Sequence, residues 1–184
     1  MRSRSVVFGA VALLALAGCD KRAAQQPESL PPVQLVEQPA ASAGGACILW
    51  DYAFIKQKIG VSFDVAASDQ VDETSTCVVQ TVDGDWPDLM LSVVESTKAD
   101  AKQFLSDLKP AKATTLKGLG KAGYQLSSGP ADGHGPAVEI GWLSEADQLQ
   151  TLKFTFAKNP KAADVTAMNS KLFDLAKAMD TTDG

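Results

Sequence analysis

Apolar residues recur at two different spacings from residue 46 onward, and each spacing predicts one type of element. Helical spacing over residues 50–59, 99–108 and 162–179 predicts three helices. Runs rich in β-branched and aromatic residues, separated by turn formers, predict six strands at residues 62–67, 76–82, 89–95, 123–127, 137–143 and 149–157. In the last of these runs Leu152, Phe154 and Phe156 alternate with polar residues, which is typical of a half-buried strand.

The order of these elements predicts an α+β fold. Reading along the chain gives α-βββ-α-βββ-α, and the short links between strands favour hairpins over crossover connections. We therefore expect an antiparallel sheet packed against helices, in a single domain over residues 46–184.

The N-terminal part of the chain has the pattern of an export signal. Arg2 and Arg4 precede an apolar run over residues 6–17, which is too short to cross a membrane as a helix but fits a signal peptide. The run ends in Leu16-Ala17-Gly18-Cys19, which resembles the lipobox of bacterial lipoproteins. That resemblance implies a signal peptide over residues 1–18 and a lipid on Cys19. An ordinary secretory signal is the alternative.

Residues 19–45 read as a lipidated cysteine followed by a flexible tether. The composition shifts to Ala, Gln, Pro, Ser and Gly, and Pro27, Pro31, Pro32 and Pro39 disfavour regular structure. We expect the domain to be lipid-anchored in the bacterial cell envelope, facing the periplasm or the exterior. Asp20, which follows the anchor, resembles an inner-membrane retention signal and slightly favours the inner membrane.

The other two cysteines, Cys47 and Cys77, lie inside the predicted domain. Export would place them in an oxidising compartment, where an even pair is normally bridged, so we expect a disulfide. Free thiols or metal ligation are the alternatives. A metal site would lack ligands, because the chain has one histidine and no further cysteine in the domain, and we expect none.

Charge argues against several classes of partner. The chain of 184 residues has a formal net charge of −5 and a sequence pI near 4.8, and residues 46–184 contain no arginine. Nucleic acid or nucleotide recognition is therefore not expected, because it depends on basic clusters and often on the guanidinium fork. Gly118-Leu-Gly120-Lys-Ala-Gly123 matches a dinucleotide-loop pattern but leads into a strand, so we interpret it as a turn and expect no cofactor.

Two turn-rich segments hold the candidate contact residues. Asp83-Gly-Asp85-Trp-Pro-Asp88 reads as a hairpin tip, with Trp86 either packed over its base or exposed to a partner or sugar. His134 lies in a second run of turn formers over residues 128–136, interpreted as a mobile surface loop. We predict that Asp85, Trp86, Asp88 and His134 form the partner contact region.

The two remaining tryptophans, Trp50 and Trp142, lie on predicted elements. We expect both to belong to the core.

Two other functions stay open at this point. A small periplasmic hydrolase could use His134 as general base with an acid from Asp83, Asp85 or Asp88, if the two loops meet. No nucleophile turn of the G-x-S-x-G type supports this. An apolar small-molecule carrier would instead need a deep cavity between sheet and helices. We expect such a cavity to be lined by residues such as Phe104, Phe154 and Phe173.

Three features together resemble a known group of proteins. Cys47 precedes a helix that ends at Gly60, Cys77 opens a strand, and Gly118-Leu-Gly120-Lys-Ala-Gly123 introduces another. This pattern is similar to small uncharacterised bacterial lipoproteins, abundant in actinobacteria, and to the extracellular sensor domain of a mycobacterial serine/threonine kinase. The chain departs from that group in having no second disulfide and in Gly123 after the usual alanine. The resemblance implies an envelope-exposed binding or accessory module without established catalytic residues.

These observations together predict a non-enzymatic, lipid-anchored envelope protein. Its domain would bind a protein or another envelope component.

Overall fold

In the computed structural model, residues 38–95 and 97–180 are described, and they form an α+β fold. The helices are α1 (Tyr52–Ile59), α2 (Ala101–Gln103), which continues as a π-helical turn (Phe104–Leu108), and α3 (Ala162–Asp180). The strands are β1 (Val65–Val71), β2 (Thr74–Thr81), β3 (Gly84–Val94), β4 (Thr114–Leu116), β5 (Ala122–Ser128), β6 (Ala137–Leu143) and β7 (Leu149–Thr155). The predicted fold class is confirmed. The short edge strand β4 is an addition that the sequence pattern did not indicate.

All seven strands form one antiparallel sheet in the order β1-β2-β3-β7-β6-β5-β4. The last strand, β7, lies between β3 and β6. It thereby joins the β1-β2-β3 group and the β4-β5-β6 group into one continuous sheet. This insertion brings the start of β3 and the start of β6 to the same end of the sheet. Asp88 of β3 pairs with Thr155 of β7, which in turn pairs with Ala137 of β6.

Helices α1 and α3 cover one face of the sheet. Alternate strand positions such as Leu89, Ile140 and Leu152 point to this face and are fully buried, together with Leu172 of α3. The opposite face carries a smaller apolar cluster, where Phe104 packs on Tyr124 with ring centroids 5.9 Å apart. The segment after β3 therefore crosses to the far face, where it contacts β5.

Local sequence signals fix the ends of α1. Asp51 caps the helix, because its side chain accepts a hydrogen bond from the backbone of Phe54 at 2.8 Å. Gly60 ends it in the left-handed conformation with φ of 79°, which glycine adopts without strain.

The predicted helix over residues 99–108 is shorter than expected. Asp100 caps one α-helical turn, accepting from the backbone of Gln103 at 2.8 Å. The chain then widens into a π-helical turn that Lys109 closes by donating to the carbonyl of Phe104. The spacing of apolar residues in the sequence is helical, and Phe104, the first residue of the π-helical turn, is buried against the sheet.

Ordered structure begins before residue 46, earlier than the predicted end of the tether. Two 3₁₀ turns, Ala40–Ala43 and Gly45–Leu49, precede α1, and Ala40 is fully buried. Ser68 donates to the carbonyl of Ala43 at 2.6 Å, and Ala46 donates its backbone N–H to Ser75 at 2.8 Å. Side chains of β1 and β2 thus hold this segment, although its composition is that of a linker. The predicted signal peptide and Cys19 lie outside the described residues.

The predicted disulfide between Cys47 and Cys77 is confirmed. It joins the second 3₁₀ turn to β2 with 5.0 Å between the Cα atoms, and both residues are fully buried. The bridge therefore fastens the N-terminal end of the domain to the helix-covered face of the sheet.

Candidate functional site

The two segments predicted to hold contact residues meet at one end of the sheet. Trp86 at the start of β3 and His134 before β6 lie with their ring centroids 4.9 Å apart and their planes inclined by 52°. Both side chains are half-buried, while Asp83 and Asp85 beside them are exposed. We call the group Asp83, Asp85, Trp86, Asp88 and His134 the aromatic corner.

The aromatic corner forms because β7 lies between β3 and β6. The peptide bond between Trp86 and Pro87 is cis. The pairing of β2 with β3 also shifts register between Gln80 and Thr81, at the tip of the hairpin. The sequence predicted a hairpin tip over residues 83–88, but the turn lies at residues 82–83 and Trp86 is already part of β3. The sequence also could not show that the indole contacts the His134 loop.

The loop that carries His134 lies at the surface, as predicted, and is fastened at its C-terminal end. Gly135 donates to the carbonyl of Phe156 at 2.8 Å, and Phe156 donates back to the carbonyl of Pro136 at 3.0 Å. Glycine is needed at position 135, because a Cβ there would collide with the carbonyl oxygen of Ala157. His134 itself is held by its backbone N–H, which donates to the carbonyl of Ala131 at 2.9 Å.

Asp88 is the one carboxyl of the corner that is largely removed from water. Burial raises its pKa, against the opposing effects of a hydrogen bond with Thr155 and the charges of Lys153 and His134. Its Oδ1 is inaccessible and has no hydrogen-bond partner among the described residues. The corner therefore combines exposed carboxylates at its rim with a half-buried aromatic pair and a desolvated carboxyl at its base.

The segments that hold Trp86 and His134 meet, as the hydrolase alternative requires, and the charge of His134 acts on Asp88. The hydrogen bonds of His134 nevertheless give that activity no support. Its Nδ1 lies 2.5 Å from the carbonyl oxygen of Gly135, its own neighbour in the chain. Within residues 38–95 and 97–180, no hydroxyl or carboxyl is hydrogen-bonded to the imidazole, as a catalytic base needs from its nucleophile or orienting acid. In the same ranges no three His, Cys, Asp or Glu side chains come together as a metal site.

A second polar group lies on the sheet face opposite α1 and α3. Tyr124 donates to a carboxylate oxygen of Glu139 at 2.8 Å, and its ring lies over Gly141 of the neighbouring strand. Burial, followed by the charge of Glu139, raises the pKa of Tyr124. Because its hydroxyl is engaged with Glu139, we interpret this group as structural.

The glycine-rich motif is a structural turn, as predicted. Gly118 and Gly120 have positive φ angles of 76° and 50°, and the turn leads directly into β5. The backbone N–H of Gly120 donates to Asp180 of α3 at 3.0 Å, and Leu119 is buried. These contacts fasten the end of α3 to the sheet.

The deep cavity that an apolar carrier would need, lined by Phe104, Phe154 and Phe173, is not found among the described residues, where of these three only Phe154 lines an open cleft. A cleft of about 320 Å³ lies between the end of α1, the first half of α3 and the end of β7. Phe154 lines it, but Phe104 belongs to the cluster on the other face and Phe173 does not line it. Phe156 and Met168, which were not predicted to line a cavity, complete its apolar floor. The strand alternation and the α3 stripe indicate that both side chains are buried. No local pattern indicates that the two side chains line the same cleft.

The predicted core positions of two tryptophans are confirmed. Trp50 is 3% exposed and Trp142 is fully buried. Trp86 is thus the tryptophan that the fold leaves partly accessible.

Comparisons with protein families, with curated proteins and with solved structures find no match for this chain. The resemblance to small bacterial lipoproteins therefore remains a hypothesis, based on Cys47, Cys77 and the glycine-rich turn over residues 118–123. Within the described ranges, no helix combines the length and apolar character that crossing a membrane requires.

Proposed function

We propose that this chain is a lipid-anchored protein of the bacterial cell envelope whose domain binds a partner at the aromatic corner and catalyses no reaction. The contact between Trp86 and His134 carries the proposal. It joins the start of β3 and the loop before β6 into one preformed, partly accessible aromatic surface. Such a surface offers contact area at low ordering cost, because its segments are already held in place.

The charges of the corner favour a partner with basic groups. Asp83 and Asp85 are exposed beside the aromatic pair, and Asp132 is exposed on the His134 loop. An indole face flanked by carboxylates suits lysine or arginine side chains, through cation–π contact and charge attraction. We therefore favour a protein or other envelope component that presents ammonium or guanidinium groups.

The envelope location is supported by two independent features. The lipobox at Leu16-Ala17-Gly18-Cys19 and the linker composition that follows are typical of an anchored, exported protein. The disulfide between Cys47 and Cys77 suits an oxidising compartment. Asp20 favours the inner membrane over the outer.

Affinity capture tests the binding role. The oxidised chain from residue 38 onward is immobilised and exposed to detergent-solubilised envelope of the source organism. We expect one protein to be retained by the wild-type chain and by Val71→Ala, an exposed position at the opposite end of the sheet. Retention should fall at least about tenfold in Trp86→Ala/His134→Ala, as expected when an aromatic hot spot is truncated.

Two results would overturn the binding role. One is retention of nothing at micromolar loading, and the other is equal retention by the Trp86→Ala/His134→Ala variant. Cys47→Ala/Cys77→Ala, which lacks the disulfide and is less stable, serves as the control for retention by partly unfolded chain.

The anchor is tested separately by labelling growing cells with radioactive palmitate. We expect label on the full chain and none on Cys19→Ala, which should also leave the membrane fraction. Label that persists in Cys19→Ala, or a wild-type chain without label, would contradict the anchor.

A further inference from the structure

The cleft between α1, α3 and β7 is open to solvent but has an apolar floor. Ile59, Phe154, Phe156 and Met168 are each at most 8% exposed and still line it. Pro87 contributes a further apolar surface from β3. A concave apolar site of this kind is where small molecules usually bind in proteins.

The mouth of the cleft carries more positive than negative charge. Lys158 and Lys171 line it, and Asp164 is the only carboxylate among its lining residues. The ammonium of Lys171 is held at the mouth by donating to the carbonyl of Ile59 at 3.1 Å, while Lys158 is exposed. The net positive charge of this mouth contrasts with the net charge of −5 of the whole chain.

We propose that this cleft binds a linear amphiphile with a carboxylate head, such as a medium-chain fatty acid. The chain would lie on the phenylalanine floor, and the carboxylate would lie at the mouth beside Lys158 and Lys171. A fatty acid matches both features, since apolar atoms leave water and the anion stays partly hydrated next to cations.

The size of the cleft limits the length of the amphiphile. The cleft has a volume of about 320 Å³, at the lower end of the range for small-molecule sites, and suits a medium-chain more than a long-chain amphiphile. Octanoate and decanoate are amphiphiles of this kind, whereas longer chains would extend into solvent. This ligand class goes beyond the proposed partner binding and does not depend on it, because the lining differs from the aromatic corner.

Photolabelling of the full chain in its own membranes tests the proposal. The membranes are incubated with a diazirine analogue of decanoate and irradiated, and adducts are located by mass spectrometry of peptides. We expect adducts on peptides that contain Phe154, Phe156 or Met168. Excess decanoate should abolish them, whereas excess decylamine, with the same chain and a cationic head, should not.

Two matched pairs of variants locate the site. Ala167→Trp places a large side chain on an exposed lining residue and should abolish labelling, whereas Ser170→Trp adds the same bulk on α3 at a position that does not line the cleft. Lys171→Gln should weaken competition by decanoate by about two- to fivefold, as expected for a partly exposed ion pair. Lys102→Gln, an exposed lysine outside the cleft, should leave competition unchanged.

Three results would contradict the proposal. Adducts that are absent from the cleft peptides, or that persist in Ala167→Trp, would overturn the site. Equal competition by decylamine and decanoate would overturn the carboxylate head. None of these three results bears on capture of a partner at the aromatic corner.

Discussion

Trp86 lies near the start of β3 and His134 lies in the loop before β6, and their rings are 4.9 Å apart in a tilted arrangement. A strand end and a loop that touch through aromatic rings stabilise each other. We therefore expect a double-mutant cycle of Trp86→Ala and His134→Ala to give a coupling free energy of about 0.5–1.5 kcal/mol in urea unfolding.

The matched control cycle pairs Trp86→Ala with Val71→Ala. Val71 lies at the opposite end of the sheet and is 62% exposed, so the two free energies should simply add. Additive effects for Trp86 and His134 as well would mean that the contact does not hold the two segments together.

The disulfide should supply a large part of the stability of the domain. Cys47 and Cys77 are 30 residues apart, and closing such a loop contributes about 3–4 kcal/mol through the entropy of the unfolded chain. Urea unfolding of Cys47→Ala/Cys77→Ala should show a loss of at least that size, because both sulfurs are buried. Reduced wild-type chain should unfold near the same urea concentration as the variant. A loss of less than about 1 kcal/mol would contradict this role.

Gly141 should be intolerant of alanine because of Tyr124. A Cβ at position 141 would occupy the space of the tyrosine ring and displace its hydroxyl from Glu139. Overpacking of this kind destabilises by about 1–3 kcal/mol, which thermal or urea unfolding of Gly141→Ala would measure.

Removing the ring provides the control for that prediction. In a Tyr124→Ala background the added methyl group has space, so Gly141→Ala should then have a much smaller effect. An equal effect in both backgrounds would show that something other than Tyr124 excludes the side chain.

Asp88 should make the stability of the domain depend on pH in an uncommon direction. Its folded pKa lies above its ordinary value of 3.8, so the folded state favours the protonated form. Stability is therefore lost as the pH rises from 3.8 through the folded pKa, and below 3.8 the group has little effect. Asp88→Asn, which stays neutral, should raise the melting temperature at about pH 7 relative to wild type, and by less at about pH 3.

Asp83→Asn controls for the loss of one negative charge from the same end of the sheet. Asp83 is exposed, so its removal should not reproduce the pH-dependent gain. A change in melting temperature for Asp88→Asn that is equal at both pH values would contradict a desolvated carboxyl at position 88.

The sequence predicted the elements well where periodicity is strong. The strand-like run over residues 137–143 gave β6 with its observed bounds, and the stripe over residues 162–179 gave α3 to within one residue. Strand β4 was missed, because three residues with one apolar side chain show no alternation. The segment over residues 40–45 was taken for tether, since the hydroxyls of Ser68 and Ser75 that hold it lie far along the chain.

The individual residues of the candidate site could be predicted from the sequence, but their proximity in space could not. Asp85, Trp86, Asp88 and His134 stand out locally, because turns rich in carboxylates and aromatic residues are rarely core. Their meeting depends on β7 inserting between β3 and β6, which follows from long-range strand pairing. The prediction that Phe104 lines a cavity was wrong because no local pattern shows which face of the sheet this residue covers. In the structure it lies on the face opposite α1 and α3.

Site-specific photo-crosslinking in living cells tests most directly whether the aromatic corner is a binding surface. A photoreactive phenylalanine is placed at Asp85, which is exposed next to Trp86, and separately at Glu73, which is exposed at the opposite end of the sheet. We predict one defined adduct from position 85, none from position 73, and loss of the first when His134 is changed to alanine. An adduct of equal yield from both positions, or no adduct from position 85, would contradict the account.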